Sequence, residues 1–397
     1  MNNAFEVWRD LQKTYLKYID TGLPIKYKKL EEERKQLLVE TDAISKKPII
    51  ELIPRYEEYI TLSDACDKLG LNKSFAAFAN AGLFPSRDGV ESKIYKHQFD
   101  SLKAVIINKQ HIIATTGTGS GKTECFLFPL LYSILQEKIG HPNLGQYALR
   151  GLILYPLNAL AEDQMRRLRR SLSSETAIEY LNKEMYGKRI TFGRYTGITP
   201  LSGKETDGKK KQLRHEKEEL TRDWVSAKKQ SASKNNPDYL YDLPNMDAGV
   251  NAELWDRWTM QKTPPDVLIT NYSMLNIMLM RKHEENIFES TKQWLKSNTE
   301  NVFHLVIDEL HSYRGTSGTE VAYLVRLLLM RLGLTPDSPQ VRFLCSSASM
   351  KESERAKKFV CGFFGLKADQ YAEKFKIIQD ENQTAQSGFN SQKLDRN

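Results

Sequence analysis

Residues 112–123 read IIATTGTGSGKT, and this stretch decides the fold prediction. Three apolar residues, 112–114, lead into a glycine-rich turn, and helix-forming residues follow from 123 to 136. Glycines let the backbone curl around a phosphate with successive N–H groups pointing inward. The beginning of the following helix adds the positive end of its dipole. The stretch therefore predicts a phosphate-binding loop between a strand and a helix.

The loop follows the pattern GxxxxGK[ST], except that Thr116 stands where the first glycine would be. In such a loop Lys122 reaches the outer phosphates and the Thr123 hydroxyl binds Mg²⁺. A glycine turn without a ligand is the alternative interpretation, and the strand before it and the helix after it argue against that. We therefore predict that the chain binds a nucleoside triphosphate with Mg²⁺.

Four further apolar runs each precede a helix-like segment: residues 152–155, 267–269, 303–307 and 341–345. Repeated strand-then-helix units predict an α/β fold in which helices flank a parallel sheet. In such sheets the ligand site lies at the carboxyl ends of the strands. The loops that follow these runs are therefore where the site is expected.

An acidic segment, DELH at 308–311, follows the run 303–307. A carboxylate at a strand end can hold Mg²⁺ opposite the loop threonine, and one is enough because Mg²⁺ keeps several waters. The next carboxylate can orient or deprotonate an attacking water. We therefore predict that Asp308 binds the metal and that Glu309 activates water. His311 is either a structural histidine or a relay.

The chain has 397 residues, which allows two or three domains. Residues 1–92 read as short helices and predict a helical accessory domain, whereas residues 93–379 carry the strand–helix pattern. Residues 203–250 are rich in Lys, Glu, Asn and Asp and predict a charged, exposed insertion. Residues 380–397 read as a polar tail or linker.

Charge and composition narrow the class of protein. Lys and Arg number 58 against 50 Asp and Glu, a formal charge of +8, which is compatible with a nucleic-acid partner. No apolar run reaches the roughly 18 residues of a membrane span, so no membrane partner is expected. The four cysteines are far apart, and neither a disulfide framework nor a signal peptide is evident. We expect a cytoplasmic protein.

Six segments together resemble superfamily 2 DEAD/DEAH-box helicases, specifically their first RecA-like domain with a DExH sequence. YKHQ (95–98) resembles the family's Q motif, TGTGSGKT (116–123) resembles motif I, and YPLNALAEDQ (155–164) resembles motif Ia. PDVLITNYSML (265–275) stands in the place of motif Ib, DELH (308–311) matches motif II, and SSAS (346–349) resembles motif III. The continuation HSYRGTSGTEVAYLVRLL (311–328) is most similar to large bacterial helicases related to Lhr and YprA. That branch includes helicase components of the phage-defence systems DISARM and Druantia.

The resemblance implies a RecA-like fold, ATP and Mg²⁺ as cofactors, and a set of site residues. Nucleotide-binding residues are then Tyr95, Gln98, Thr118, Gly119, Ser120, Gly121, Lys122, Thr123 and Glu124, with Gln98 facing the adenine. Metal ligands are Thr123 and Asp308, and catalytic residues are Glu309, Asp308, Lys122 and His311. Contacts to one nucleic-acid strand fall to Pro156, Asn158, Thr196, Gly197, Thr270 and Asn271. Ser347 and Ser349 would couple the nucleotide state to nucleic-acid contact.

The resemblance also implies partners. The family's second RecA-like lobe normally follows motif III and supplies an arginine finger, but Asn397 lies only 48 residues past Ser349. We therefore expect this chain to hydrolyse ATP poorly by itself and to need a second lobe in the same or another chain. The expected nucleic acid is single-stranded or partly duplex DNA, with RNA as the alternative. Other subunits of a defence complex are further candidate partners.

Two alternatives remain open from the sequence. The chain can be a nucleic-acid-binding scaffold subunit whose phosphate loop is occupied without helicase activity. A P-loop kinase or GTPase is the other alternative, but it leaves Gln98 and the segment 346–349 unexplained.

Overall fold

The chain divides into two compact units, residues 1–54 and residues 55–397. The computed structural model describes residues 4–40, 43–46, 56–86, 90–117, 119–140, 146–156, 158–185, 187–234, 237–246, 252–348, 350 and 353–379. In the first unit, helices α1 (Ala4–Gly22) and α2 (Lys28–Glu40) are joined by ion pairs from Asp20 to Arg34 and Lys35, at 2.7 and 3.0 Å. The first unit is therefore a helical pair, as predicted for the chain's beginning.

The second unit is built on an eight-stranded parallel sheet in the order β10-β3-β9-β8-β4-β7-β5-β6. Its strands are β3 His111–Ala114, β4 Gly151–Tyr155, β5 Phe192–Tyr195, β6 Glu253–Leu254, β7 Val267–Asn271, β8 Phe303–Ile307, β9 Val341–Ser346 and β10 Phe375–Ile378. All five residues of β4 and of β8 are buried. Strands covered on both faces need such continuous apolar runs, which is why these segments were recognisable in the sequence.

Most helices of this unit pack against the two faces of the sheet. The unit's helices are α3 Leu62–Leu69, α4 Ser74–Phe78, α5 Lys96–Leu102, α6 Lys122–Gly140, α7 Asn158–Ser173, α8 Glu175–Glu184, α9 Asp207–Lys234, α10 Arg257–Lys262, α11 Tyr272–Met280, α12 Glu285–Ser297, α13 Gly315–Leu332, α14 Glu354–Phe364 and α15 Tyr371–Lys374. One core contains α11 to α14, and the other contains α3 to α8. Successive residues of one strand enter different cores, for example Leu154 and Tyr155 of β4. The predicted α/β class is confirmed.

Residues 56–86 pack with the sheet unit, which differs from the predicted boundary at residue 92. They contain a strand, β1 (Glu58–Thr61), that pairs antiparallel with β2 (Lys93–Tyr95). The ring of Phe75 in α4 meets that of Phe128 in α6, with centroids 6.2 Å apart. A Cβ on Gly82 would stand 2.7 Å from the Ser171 carbonyl oxygen, so the backbone there lies directly against α7. Short helices bury their apolar faces only against a larger core, and here that core is the sheet unit.

The charged segment 203–250 is dominated by the long helix α9. Most of its residues are exposed, but Trp224 is buried. The predicted tail, 380–397, lies outside the described residues. Within the part of the chain that the structure describes, every helix is too short or too polar to cross a membrane.

A buried histidine makes folding stability depend on pH. Burial, with Arg342 nearby, lowers the pKa of His304 to about 4. Between about pH 4 and the ordinary histidine pKa near 6.5, the unfolded chain binds a proton there that the native chain does not. Stability therefore rises with pH across this window, by about 1.4 kcal/mol per pH unit for one proton.

We expect His304→Gln to reduce the slope of unfolding free energy against pH between 4.5 and 6.5 by up to about 1.4 kcal/mol per pH unit, which corresponds to one proton. Urea titrations at several pH values measure that slope. His215→Gln, on the exposed face of α9, is the matched control and should leave the slope unchanged. Equal slopes for His304→Gln and the unsubstituted chain would contradict the assignment.

Candidate nucleotide and nucleic-acid site

The predicted site loops converge at one edge of the sheet. Strand β9 lies between β3 and β8, with Cys345 paired to Ile113 on one side and to Ile307 on the other. The phosphate loop follows β3, and the acidic segment follows β8. Because all three strands are parallel, their carboxyl ends meet at this edge. The loop and the acidic pair, far apart in sequence, are therefore brought to either side of the end of β9.

The phosphate loop has the backbone that its glycines allow. Gly119 and Gly121 have φ values of +77° and +73°, a left-handed region that side chains disfavour. No described atom lies within 4 Å of where a Cβ on Gly119 would stand, apart from its neighbours in the chain. The hydroxyls of Thr116 and Ser120 are hydrogen-bonded to each other, and α6 begins at Lys122. Thr118 lies outside the described residues.

The segment 95–98 is hydrogen-bonded to the phosphate loop. Gln98 is 1 % exposed, and its amide accepts from the Tyr95 N–H at 2.9 Å and donates to the Gly121 carbonyl at 3.1 Å. His97 Nε2 donates to the Ser120 carbonyl at 2.7 Å. The ring of Tyr95 stacks on His97, with centroids 5.5 Å apart. Gln98 thus holds the phosphate loop directly, and its contact with adenine stays a prediction.

Asp308 is held at the end of β8 by a residue of β9. The Ser346 hydroxyl donates to Asp308 Oδ1 and accepts from the Glu309 N–H at 3.1 Å. Burial raises the pKa of the Asp308 carboxyl, while the Ser346 hydrogen bond and the Lys122 ammonium act to lower it. A bound cation would favour the charged form of this carboxylate.

The donor set at this edge fits Mg²⁺. The Asp308 carboxylate and the Thr123 hydroxyl are hard oxygen ligands, which Mg²⁺ prefers. Among the described residues, no group of three or more His, Cys, Asp or Glu side chains is placed to hold a metal ion. Mg²⁺ is usually bound by one or two carboxylates together with substrate phosphates, so this sparse set is suitable.

Glu309 carries a buried carboxylate oxygen at this edge. Its φ is +52°, an unusual value for a residue with a side chain, and such strain is often found at functional sites. Its Oε2 is buried and has no hydrogen-bond partner in the described structure, although His311 Nδ1 lies 3.1 Å away. His311 Nδ1 instead accepts from the Ala348 N–H at 3.4 Å. His311 therefore connects the segment 308–311 to the segment 346–349.

The segment 346–349 uses a different serine from those predicted. Ser346 makes the contacts to Asp308 and Glu309 described above. Ser347 is buried, and its N–H donates to the Ala114 carbonyl at 2.9 Å at the end of β3. Ser349 lies outside the described residues. Sequence reasoning missed Ser346 because the four-residue motif does not show which hydroxyl faces β8; strand pairing between β8 and β9 decides that.

Four of the six residues predicted to contact nucleic acid reach the surface at the same edge. They are Pro156, Asn158, Gly197 and Asn271. Asn271 Nδ2 donates to Asn158 Oδ1 at 2.7 Å, and Asn271 Oδ1 caps α11 by accepting from the Met274 N–H at 2.8 Å. These residues follow β4, β5 and β7, which are adjacent in the sheet. They form one polar ledge beside the nucleotide loops.

The other two predicted contacts, Thr196 and Thr270, are corrected by the structure because both are 0 % exposed. The Thr270 hydroxyl donates to the Tyr195 carbonyl at 2.6 Å. The Thr196 N–H donates to the Thr199 hydroxyl at 2.9 Å. Both threonines therefore shape the ledge from inside and do not offer a hydroxyl to a phosphate at its surface.

Most arginines of α7 form ion pairs with carboxylates of the protein. Arg169 is buried and forms a two-point ion pair with Glu253, at 2.7 and 2.9 Å. Arg166 pairs with Asp242, and Arg167 pairs with Glu124 at 3.0 Å. Glu124, predicted to bind nucleotide, thus has its carboxylate directed at α7. These pairs could not be read from the sequence, because their carboxylates are up to 84 residues away.

Comparisons with known proteins show similarity to helicases. A profile of the DEAD/DEAH box helicase family matches residues 95–195. The Druantia protein DruE of Escherichia coli is 33% identical over 94% of this chain and 22% of its own length. The ATP-dependent helicase YprA of Bacillus subtilis, described as uncharacterized, is 26% identical over 67% of this chain and 24% of its own length. The chain therefore spans less than a quarter of these relatives.

Among solved structures, the DUF1998 helicase MrfA bound to DNA and AMPPNP matches 86% of this chain and 33% of its own chain. The sequence identity is 20% and the TM-score is 0.47.

Proposed function

We propose that the chain is the ATP-binding motor lobe of a superfamily 2 DNA helicase or translocase, since its residues 95–195 match the DEAD/DEAH box helicase family. The observation that carries this proposal is the convergence of the phosphate loop, Asp308 and Glu309 around Ser346. A second RecA-like lobe, in the same or another chain, is proposed to complete the ATP site. The likeness to DruE supports work in a bacterial phage-defence complex, in the cytoplasm.

In this proposal, each residue at the strand ends has one task in ATP hydrolysis. The N–H groups of the loop and Lys122 hold the phosphates, and Thr123 and Asp308 would hold Mg²⁺, which neutralises phosphate charge when bound. Glu309 accepts a proton from the attacking water through its unpartnered Oε2. Water oxygen then bonds to the γ-phosphorus as the bond to the bridging β–γ oxygen breaks, which releases phosphate and ADP.

The polar ledge is proposed to contact the sugar–phosphate backbone of one strand. Asparagine side chains and helix N-termini donate hydrogen bonds to phosphate without preference for a base. Asn158 is exposed at the first residue of α7, and Asn271 lies beside it at the start of α11. These groups do not distinguish the sugars, so DNA is proposed over RNA only on the resemblance of residues 311–328 to large bacterial helicases related to Lhr and YprA.

Binding of single-stranded DNA should weaken as salt rises, by about 0.7 log units per neutralised phosphate for each log unit of salt. Asn158→Ala is expected to weaken binding about fivefold, the value of one hydrogen bond, at every salt concentration. The salt slope should not change, since asparagine carries no charge. Fluorescence anisotropy of a labelled oligonucleotide from 50 to 300 mM salt, on the order of the physiological range, measures both.

Asn182→Ala is the control for this experiment, because Asn182 is exposed on α8 away from the ledge. It should retain both the affinity and the slope. A DNA affinity that does not change with salt concentration would count against the proposed function. An unchanged DNA affinity in Asn158→Ala would show that Asn158 does not contact the nucleic acid.

A further inference from the structure

An ion pair joins the helix that follows the phosphate loop to the helix that begins at the polar ledge. Arg167 Nη1 of α7 lies 3.0 Å from Glu124 Oε1 in the first turn of α6. Arg167 Nε also lies 3.2 Å from Asp163, one turn earlier on α7. The Glu124 side chain is 14% exposed and that of Arg167 is 43% exposed, so the carboxylate is the more buried partner.

The Glu124 carboxylate lies against the phosphate loop itself. Its Oε2 is buried and has no hydrogen-bond partner in the described structure. A Cβ built on Gly121 would stand 3.0 Å from this oxygen. Glu124 also follows Thr123 directly in the chain. Negative charge on a bound triphosphate would therefore be felt strongly at this carboxylate, and Arg167 is the cation that offsets it.

Tyr155 provides a second connection between the two regions. It ends β4, three residues before α7 begins, and it is completely buried. Burial raises the pKa of its hydroxyl, Asp308 raises it further and Arg167 lowers it. The pKa of the Tyr155 hydroxyl therefore responds to the charges of both Asp308 and Arg167.

The neighbouring arginine shows that this arrangement is specific. Arg166 pairs with Asp242, and both side chains are about half exposed. Among the described residues, Arg166 forms no ion pair with a residue of α6. A cavity of about 260 Å³ lies beside the two arginines, with Glu124 and Asp163 in its wall. Arg167 thus bridges the two carboxylates in the wall of this cavity.

We propose that the Glu124–Arg167 pair couples nucleotide binding at the phosphate loop to nucleic-acid binding at the start of α7. This inference rests on the proposed function. A bound triphosphate raises the free energy of the Glu124 carboxylate when no cation is beside it. It therefore strengthens the ion pair with Arg167, and with it the contact between α6 and α7. The tightened contact holds Asn158 in the orientation that receives a phosphate. Both members of the pair are positioning residues, and the effect is reciprocal between the two ligands.

The test measures the affinity of the whole chain for a labelled single-stranded oligonucleotide, with and without saturating AMPPNP and Mg²⁺. The ratio of the two affinities is the coupling factor, which typically lies between about 5 and 150 when two sites are linked. Arg167→Gln is expected to bring this factor close to one, and also to weaken nucleotide binding without DNA, because Glu124 then faces the triphosphate without its cation. Arg167→Lys keeps the charge and should retain most of the coupling.

Arg166→Gln is the matched control, one position away on the same helix, and should leave the coupling factor unchanged. Full coupling in Arg167→Gln, or an equal loss in Arg166→Gln, would overturn the inference. Binding of both ligands by the unsubstituted chain without coupling would overturn it too, and would leave the proposed function standing. Failure of the unsubstituted chain to bind AMPPNP would instead overturn the proposed function, and this inference with it.

Discussion

Glu309→Gln is expected to lower ATP turnover by about 10²–10⁴-fold, the usual contribution of a positioned general base. Glutamine keeps the size of the side chain but cannot accept the proton of the attacking water. Binding of nucleotide and DNA should be retained, because Glu309 is not proposed to hold either. Turnover is measured with single-stranded DNA present and with the second lobe supplied, since this chain alone is expected to be slow.

Glu184→Gln, on the exposed part of α8, is the control and should keep full turnover. If Glu309→Gln also keeps full turnover, another group activates water. If the unsubstituted chain binds nucleotide but never hydrolyses it, even with a second lobe, the scaffold alternative is favoured over the motor.

Lys122→Ala is expected to weaken binding of MgATP by about 10–100-fold. A hydrogen bond to a charged group contributes about 1.5–3 kcal/mol, and Lys122 would offer its ammonium to the outer phosphates. The measurement needs only this chain and a fluorescent ATP analogue, so it does not depend on the second lobe. ADP binding should be affected less, because it lacks the γ-phosphate.

Lys183→Ala is the matched control for this substitution, because Lys183 is 83% exposed on α8. It should bind MgATP as the unsubstituted chain does. Unchanged MgATP affinity in Lys122→Ala would mean that residues 116–123 form a glycine turn without a ligand.

Much of the candidate nucleotide site could be predicted because its signals are local. The glycines of 119–121, the lysine after them and the acidic pair after β8 are consecutive residues with defined backbone requirements. Apolar runs buried on both faces also mark the parallel strands. The strand order β3-β9-β8 then brings these loops together, as expected for strand ends in a parallel sheet.

The polar ledge and the motif-III contacts were predicted less well, because burial decides them. Thr196 and Thr270 carry the right functional group but lie beneath the surface. Ser346, which holds Asp308, was overlooked in favour of the serines that follow it. Neighbouring residues on a strand face opposite sides, so a shift of one position changes a residue's contacts completely.

The amino-acid sequence by itself determined the fold class, the phosphate loop and the identity of the acidic pair, because these depend on short-range backbone geometry and on apolar periodicity. Only the tertiary structure decided which serine holds Asp308, which threonines are covered, that residues 56–86 join the sheet unit and that Arg167 meets Glu124. Each of these depends on side chains distant in sequence, whose distances and burial are set by the packing of whole helices and strands.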